Sequence, residues 1–142
     1  RNQLIKPGGI SVLDMPINLT KIRTPSYILA TREDHIAPWT SAYIATQVYD
    51  GDIVFTLADS GHVAGVINPP VKQKYCYWTN EKLPPKPEDW LKNAAQHPGS
   101  WWDHWHQWQS ARAGKKVKAR QPGNARYKPI ENAPGRYATV KA

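Results

Sequence analysis

The sequence has few of the residues and runs that mark several large classes of protein. Cys76 is its one cysteine, which excludes an internal disulfide and a cysteine-rich metal site. No apolar run approaches the ~20 residues of a membrane span, and the first residues do not follow the pattern of a secretory signal. With 142 residues and 40% hydrophobic content, the chain predicts one soluble, cytoplasmic domain with its own core. It opens on Arg1 rather than Met, which favours a piece of a larger protein.

Acidic residues are scarce in the last part of the chain. Residues 112–142 contain nine Lys and Arg but a single acid, Glu131, whereas residues 1–111 contain ten charges of each sign. The net charge of +8 therefore lies entirely in the tail. We divide the chain into a body, residues 1–111, and a basic, loop-rich extension, residues 112–142. Such an extension can track phosphates or an anionic surface electrostatically, or it is simply solvated.

Hydrophobic patterning in the body predicts an α/β unit. Residues 26–30 form a continuous apolar run typical of a buried parallel strand, and residues 53–58 form a second one. Between them, Pro38 fits the first turn of a helix that extends to about Tyr49. A right-handed crossover of this kind brings the loops that follow both strands to the same edge of the sheet.

The rest of the body predicts a connector and two helices. Prolines punctuate the connector through Pro87, and a helix is expected from about residue 88 to residue 95. Ser100 can cap a second helix. Three tryptophans recur on that helix at helical spacing and are expected in the core: Trp101, Trp105 and Trp108.

An acid and a histidine stand where the two predicted strands end. Asp34 follows the first strand and His62 the second, in the order of the last two members of an α/β-hydrolase triad. A neutral imidazole can take a proton from a thiol or hydroxyl, and a carboxylate can orient that imidazole. The alternative is that Asp34 caps the helix near Pro38 and that His62 is an ordinary polar loop residue.

The sequence lacks the third member of such a triad, a nucleophile on a sharp strand-to-helix turn. Cys76 comes after His62 and has no flanking glycines, so it is expected to be structural. His35 is a candidate active-site neighbour, with local packing as its alternative. His104 and His106 would point about 200° apart on a helix and cannot share one metal ion. We therefore expect no metal site and no cofactor.

Four stretches of the sequence carry a resemblance to a known family: residues 32–39, 60–70, 99–102 and 123–127. They read Arg-Glu-Asp-His-Ile-Ala-Pro-Trp, Ser-Gly-His-Val-Ala-Gly-Val-Ile-Asn-Pro-Pro, Gly-Ser-Trp-Trp and Gly-Asn-Ala-Arg-Tyr. Together they resemble the C-terminal part of a class I poly(3-hydroxyalkanoate) synthase, the type that makes poly(3-hydroxybutyrate). The resemblance covers nearly the whole chain. It implies the C-terminal portion of an α/β-hydrolase-type fold, with an incomplete sheet.

The resemblance also implies a chemistry. Asp34 and His62 match the acid and the histidine of a Cys-His-Asp triad, whose cysteine lies in a Gly-x-Cys-x-Gly box that this sequence does not contain. The full enzyme would be an acyltransferase that polymerises (R)-3-hydroxyacyl-CoA and releases CoA. His62 would deprotonate the thiol, and Asp34 would either assist His62 or activate the substrate hydroxyl. The isolated chain is expected to be inactive because it lacks the nucleophile.

The implied partners are the remainder of the synthase catalytic domain, the 3-hydroxyacyl-CoA substrate and the polyester product. The full enzyme would be a homodimer that works at polyester granules with accessory surface proteins. Two other functions stay open from the residues alone. One is a basic binding module whose tail and tryptophans engage nucleic acid or an anionic surface. The other is a hydrolase of the same fold, an esterase or depolymerase. The identity of the missing nucleophile on the sharp strand-to-helix turn, Cys or Ser, would help to distinguish a hydrolase from a synthase.

Overall fold

The computed structural model describes residues 2–72 and 74–140. The strands are Ser11–Val12 (β1), Met15–Pro16 (β2), Ser26–Thr31 (β3), Ile53–Ala58 (β4), Cys76–Thr79 (β5) and Ala95–Pro98 (β6). The α-helices are Trp39–Tyr43 (α1), Ala45–Val48 (α2), Pro87–Lys92 (α3) and Trp102–Ser110 (α4). Short 3-10 helices occur at Leu19–Lys21, Pro70–Lys72 and Tyr137–Thr139.

Four strands form one mixed sheet in the order β3-β4-β5-β6. β3 and β4 are parallel, in a register that sets Ser26 opposite Ile53 and Thr31 opposite Ala58. β5 runs antiparallel to β4, and β6 runs antiparallel to β5. β1 and β2 form a separate antiparallel pair. The mixed α/β content and the parallel pairing of the two predicted strands are confirmed.

β5 and β6 lie where the sequence predicted a connector and the end of a helix, and both predictions are wrong there. Helix α3 ends at Lys92, and Ala95 begins a strand that pairs with Thr79. Strands of this length carry little local signal. Their pairing is decided by neighbours that are distant in the sequence, which outweigh the pattern that predicted a helix as far as Ala95.

The helix predicted from Pro38 to Tyr49 is present but interrupted, since α1 ends at Tyr43 and α2 begins at Ala45. The Thr46 hydroxyl donates to the Tyr43 carbonyl oxygen at 2.8 Å. A side chain that binds a helix carbonyl in this way competes with the backbone hydrogen bonds and bends the helix. This bond spans the interruption between α1 and α2.

An aromatic core covers one face of the sheet. Side chains alternate between the two faces of a strand, which sets Phe55, Leu57 and Trp78 on the side that α1 and α3 cover. Tyr43 of α1 and Trp90 of α3 meet the Phe55 ring edge to face, with ring centroids 5.0 and 4.9 Å away. Trp90 and Leu57 are fully buried. This packing fixes β4 and its parallel neighbour, and so positions the loops that follow them.

Helix α4 and the residue before it cover the opposite face of the sheet. Tyr27 of β3 packs against Trp101, His104 and Trp108, with ring centroids 6.2, 5.6 and 5.5 Å apart. No residue of α4 is buried, and Trp105 is 37% exposed. The predicted core position of the tryptophan stripe is therefore wrong in part, because a helix lying on one sheet face keeps its other side in water.

The basic extension lies along the surface. All of its described residues, from 112 to 140, are exposed except the half-buried Gly135. Glu131, its one acid, forms an ion pair with Arg136 at 3.1 Å. Within the described parts of the chain, no helix is long and apolar enough to cross a membrane. The division of the chain at residue 112 stays a prediction.

Candidate active site

Asp34 lies in the loop that follows β3, and its own loop fixes its carboxylate. Asp34 Oδ1 accepts the backbone N–H groups of Ile36 and Ala37, both at 2.9 Å. These bonds form an Asx turn ahead of α1, whose first residue has no side-chain cap. The side chain is only 9% exposed. Asp34 therefore closes a turn ahead of the helix instead of capping it, and these two bonds use only Oδ1.

His62 lies in the loop that follows β4, and its ring meets that carboxylate. His62 Nδ1 is 2.7 Å from Asp34 Oδ2. Because an ionised carboxylate can only accept, the proton of a neutral imidazole is on Nδ1 and the lone pair is on Nε2. The His62 side chain is 49% exposed. The structure thus brings the predicted acid and histidine together, with a basic nitrogen open to a third group.

A backbone hydrogen bond also joins the two loops. The Glu33 N–H donates to the Ser60 carbonyl oxygen at 3.0 Å. Ser60 has a φ of 69°, in the left-handed region that side chains other than glycine rarely adopt. Such conformations persist only where the surrounding structure imposes them, and they are frequent at functional sites.

The pKa of the Asp34 carboxyl is lowered to about 2. The largest cause is the hydrogen bond from the Ala37 N–H, followed by the hydrogen bond from His62, and the Ile36 N–H adds to both. All three favour the charged form of the carboxyl. Asp34 therefore stays ionised at neutral pH and acts as a hydrogen-bond acceptor for His62.

Exposed apolar side chains flank this pair, and the sequence analysis did not single them out. Ile36 is 66% exposed, Val63 is 67% exposed and Ile67 is 62% exposed. They lie within a few residues of Asp34 or His62 along the chain. Their signal in the sequence was a run of apolar residues in a loop, where water-facing positions are usually polar. Exposed apolar side chains this close to the pair in the sequence are available to contact another apolar group.

Three relatives show where this chain belongs. It is 48% identical over 143 residues to poly(3-hydroxyalkanoate) polymerase subunit PhaC of Cupriavidus necator, a match that covers 100% of this chain and 24% of the relative. It is 46% identical over 121 residues to the PhaC subunit of Rhizobium etli, which covers 85% of this chain and 19% of the relative. It is 40% identical over 141 residues to poly(3-hydroxyalkanoate) polymerase 2 of Ectopseudomonas oleovorans, with 99% and 25% covered.

The chain belongs to the poly(3-hydroxyalkanoate) polymerase family. It spans about a quarter of the length of these polymerases, and the matched part is their C-terminal region. The resemblance seen in the sequence motifs is thereby confirmed. No protein-family model matches the chain.

Cys76, the one thiol of this polymerase segment, does not have the properties of a nucleophile. It begins β5, and its Sγ donates to Asp59 Oδ2 at 3.6 Å. Burial raises the pKa of the Cys76 thiol, with the Asp59 charge as a further cause. An activated cysteine needs the opposite shift, toward the thiolate. The contact and the pKa both favour the structural role expected for Cys76.

The remaining histidines have other surroundings. His35 is exposed, and in the part of the chain that the structure describes no hydrogen bond joins it to Asp34 or His62. Its role as an active-site neighbour stays a prediction. His104 Nδ1 is 2.8 Å from the Tyr27 hydroxyl on the sheet, whereas His106 Nε2 is 3.5 Å from Ser110 Oγ on the helix surface. Among the described residues, no group of three His, Cys, Asp or Glu is arranged to hold a metal ion.

One surface groove of the molecule lies away from this pair. A surface groove of about 830 Å³ opens near Arg23 and Asp50, next to the amino ends of β3 and β4. Asp34 and His62 lie at the opposite, carboxyl ends of those strands, where ligands bind in open α/β sheets. The groove is open to solvent, and its lining holds an ion pair of Arg23 with Asp50 at 3.0 Å but no histidine. We therefore take Asp34 and His62 as the candidate site.

Proposed function

We propose that this chain carries the base and the acid of a Cys-His-Asp triad in an acyltransferase that polymerises (R)-3-hydroxyacyl-CoA into polyhydroxyalkanoate. One observation carries the proposal: His62 Nδ1 lies 2.7 Å from Asp34 Oδ2, so Nε2 is the free, basic nitrogen. The names of the relatives, poly(3-hydroxyalkanoate) polymerases, support the polymerising reaction. The nucleophilic cysteine would belong to a part of the polymerase outside these 142 residues.

The reaction in this proposal consists of two acyl transfers. His62 Nε2 takes the thiol proton, the thiolate attacks the acyl-CoA carbonyl, and the carbon–sulfur bond to CoA breaks. His62 returns the proton to the leaving CoA thiolate. A 3-hydroxyl group then attacks the cysteine thioester while His62 takes the hydroxyl proton. The ester bond forms and the cysteine leaves as a thiolate. His62 then gives the hydroxyl proton to that thiolate, which restores the thiol.

Asp34 has two conceivable roles in this scheme, and its contacts favour one of them. Oδ1 accepts hydrogen bonds from two backbone N–H groups, and Oδ2 accepts a hydrogen bond from His62 Nδ1–H. Both oxygens of the carboxylate are therefore engaged. A carboxyl with a pKa of about 2 is also a weak base toward an alcohol. We therefore propose that Asp34 orients His62 and stabilises its charged form, and that His62 itself activates the substrate hydroxyl.

We also propose that the sheet is the C-terminal portion of an α/β-hydrolase-type sheet. β3 is an edge strand of the four-stranded sheet, with β4 as its parallel partner on one side. Parallel strands are usually buried within larger sheets, and an open strand edge exposes unpaired N–H and C=O groups. A further parallel strand from the rest of the polymerase would pair with β3 and complete that edge.

The apolar surface around the pair suits the partners in this proposal. Ile36, Val63 and Ile67 offer exposed apolar area beside the acid and the histidine. The remainder of the catalytic domain, or the aliphatic polyester chain, would cover such a surface. The homodimer of the full enzyme, its cytoplasmic location and its association with polyester granules belong to the same proposal and rest on the family resemblance.

The test uses the full-length polymerase that contains this chain. Purified wild type, His62→Ala and Asp34→Asn are assayed with (R)-3-hydroxybutyryl-CoA for CoA release and for polymer, with His106→Ala as the matched histidine control. We expect His62→Ala to lose activity by about 10³-fold or more, and His106→Ala to keep it. Folding of each variant is checked by circular dichroism.

Two results would contradict the proposal. Full activity of His62→Ala would remove the histidine from the chemistry. Release of free 3-hydroxy acid in place of polymer by the wild type would assign the site to a hydrolase, in which water replaces the hydroxyl nucleophile.

A further inference from the structure

Two adjacent tryptophans donate hydrogen bonds to the loop that carries His62. Trp101 Nε1 donates to the Gly65 carbonyl oxygen at 3.1 Å. Trp102 Nε1 donates to the Val66 carbonyl oxygen at 2.9 Å. Both tryptophans are half-buried, and they precede or begin α4, on a part of the chain 36 residues away from their acceptors. Two successive carbonyls of the loop are thus held by two successive side chains.

The two carbonyls belong to the same turn as His62. The Gly65 N–H donates to the Gly61 carbonyl oxygen at 2.9 Å, which closes a turn that contains His62. A Cβ atom added at Gly65 would lie 2.6 Å from Thr31 Cγ2 and nearer still to the Asp59 carbonyl oxygen. The turn therefore rests directly on the end of β3 and cannot move inward. The tryptophans hold the same turn through its carbonyl oxygens.

A third contact extends this connection along the chain. Ser100 and Asn68 are both buried. The Ser100 hydroxyl donates to the Asn68 carbonyl oxygen and accepts the Trp102 N–H at 3.1 Å. The Asn68 side chain in turn donates to the Lys74 carbonyl oxygen at 2.8 Å. Residues 100–102 and 65–68 are therefore joined by three direct hydrogen bonds.

Other tryptophans of the chain show that such bonds are not a general consequence of burying an indole. Trp90 Nε1 and Trp108 Nε1 are buried without a hydrogen-bond partner in the described structure. Their rings pack against other rings. Trp101 and Trp102 differ because their N–H groups meet loop carbonyls, which a phenylalanine at either position would leave unpaired.

We propose that Trp101 and Trp102 are positioning residues for the polymerisation reaction, which hold His62 in line with Asp34 through their indole N–H groups. The inference rests on the function proposed above for His62 and Asp34. Neither tryptophan touches the reacting atoms. Their effect passes through the turn of residues 61–66 to the imidazole, whose alignment a shift of the turn would disturb.

The test uses the full-length polymerase with the double variant Trp101→Phe/Trp102→Phe, which keeps both aromatic rings and removes both N–H donors. We expect kcat to fall by about 10- to 100-fold, while KM for (R)-3-hydroxybutyryl-CoA changes by less than about twofold, because alignment and not binding is disturbed. Trp108→Phe is the matched control for each single substitution, since it loses the same ring area but no hydrogen bond. Its kcat should stay within about twofold of wild type.

A double-mutant cycle separates positioning from general destabilisation. The same tryptophan substitutions are made in His62→Ala, and the residual activity is compared at a temperature where every variant is folded. If the tryptophans act through His62, their effect on kcat disappears in that background. The single variants Trp101→Phe and Trp102→Phe, each with a smaller loss in the same direction, carry the test if the double variant does not fold.

Three outcomes would overturn the inference: an unchanged kcat in the variants that lack the N–H donors, an equal loss in Trp108→Phe, or an undiminished loss in the His62→Ala background. Failure of the proposed function has a different signature. In that case His62→Ala alone would retain full activity.

Discussion

The loop of Asp34 holds the Asp34 carboxylate with its own backbone, whereas the loop of His62 is held by residues distant in the sequence. The N–H groups of Ile36 and Ala37 fix the carboxylate from within three residues. The turn of His62 depends on contacts from β3 and from the start of α4. One side chain of the pair is therefore a local product of its sequence, and the other is a product of the tertiary fold.

This difference has a consequence for substitutions. Changes near Asp34 should act on the chemistry while the loop keeps its shape. Changes around the His62 turn should act on stability and geometry together. The two loops meet at the hydrogen bond between His62 Nδ1 and Asp34 Oδ2. This bond needs both the local backbone bonds that hold Asp34 and the tertiary contacts that hold the His62 turn.

The largest expected effect comes from removing the charge of Asp34 while its loop is kept. Asp34→Asn keeps an oxygen for the N–H groups of Ile36 and Ala37 but removes the negative charge that faces His62. We expect kcat of the full-length polymerase to fall by about 10³- to 10⁴-fold, as the imidazole loses its oriented, charge-stabilising partner. The same variant should stay folded under assay conditions, with a modest fall in the unfolding temperature, because the ionised Asp34 carboxyl also contributes stability at neutral pH. A variant that unfolds as severely as it loses activity would show that the loop is not locally fixed.

The next effect comes from breaking the support of the His62 turn. Gly65→Ala would push a methyl group against Thr31 and the Asp59 carbonyl oxygen. We expect a loss of about 1–3 kcal/mol in the free energy of unfolding, measured by urea denaturation. Gly61→Ala is the matched control, because its nearest non-neighbouring atom is the Glu33 carbonyl oxygen at 3.8 Å. Equal losses in both variants would mean that the close approach at Gly65 does not constrain the turn.

The sequence alone was sufficient for the parts of the fold that carry their signal locally. The apolar runs of β3 and β4 are bounded by turn residues, so both strands could be predicted, and their parallel pairing is confirmed. Asp34 and His62 could be singled out because parallel strands end at the same edge of a sheet. These inferences need only the order of residues within each segment.

The rest depended on contacts between distant segments. β5 and β6 are four-residue strands whose pairing of Thr79 with Ala95 exists only in the assembled sheet. The helical spacing of the tryptophans indicated burial, but it could not indicate that Trp101 and Trp102 bond to the carbonyls of Gly65 and Val66. No local pattern shows which loop lies opposite a given indole N–H.

A smaller effect is expected from acid, and it should act through α4. Burial lowers the pKa of His104, which lies 2.8 Å from the Tyr27 hydroxyl, and the nearby His97 contributes in the same direction. A neutral His104 therefore stabilises the folded state above about pH 6.5, its ordinary pKa, and this stability is lost as the pH falls through the lowered value. Since α4 begins at the tryptophans that hold the His62 turn, acid should loosen that turn.

The measurement is urea denaturation at several pH values between 7.5 and 5. We expect stability to fall toward the acid end in the wild type and in His106→Gln, whose histidine lies on the outer surface of the same helix. His104→Gln should show a weaker fall. An identical pH dependence in the two variants would show that His104 does not cause the loss of stability in acid.

The smallest expected effect tests how local the Asp34 loop is. The Ala37 N–H is a larger cause of the low pKa of Asp34, about 2, than the hydrogen bond from His62. In His62→Ala the pKa should therefore rise but remain below the ordinary value of about 3.9. An Asp that is ionised in the folded state stabilises the protein above about pH 4, and this stability is lost as the pH falls toward 2.

Carbon-13 NMR titration of the Asp34 carboxyl, in wild type and in His62→Ala, measures this directly. A pKa that returns fully to the ordinary value in His62→Ala would show that the imidazole, and not the loop backbone, holds the carboxylate in its charged form. A pKa that stays low in His62→Ala means that the loop backbone holds the Asp34 carboxyl in place and charged independently of the histidine. In that case the His62 turn, with the tryptophans that support it, is the part of the pair that the tertiary fold has to bring into place.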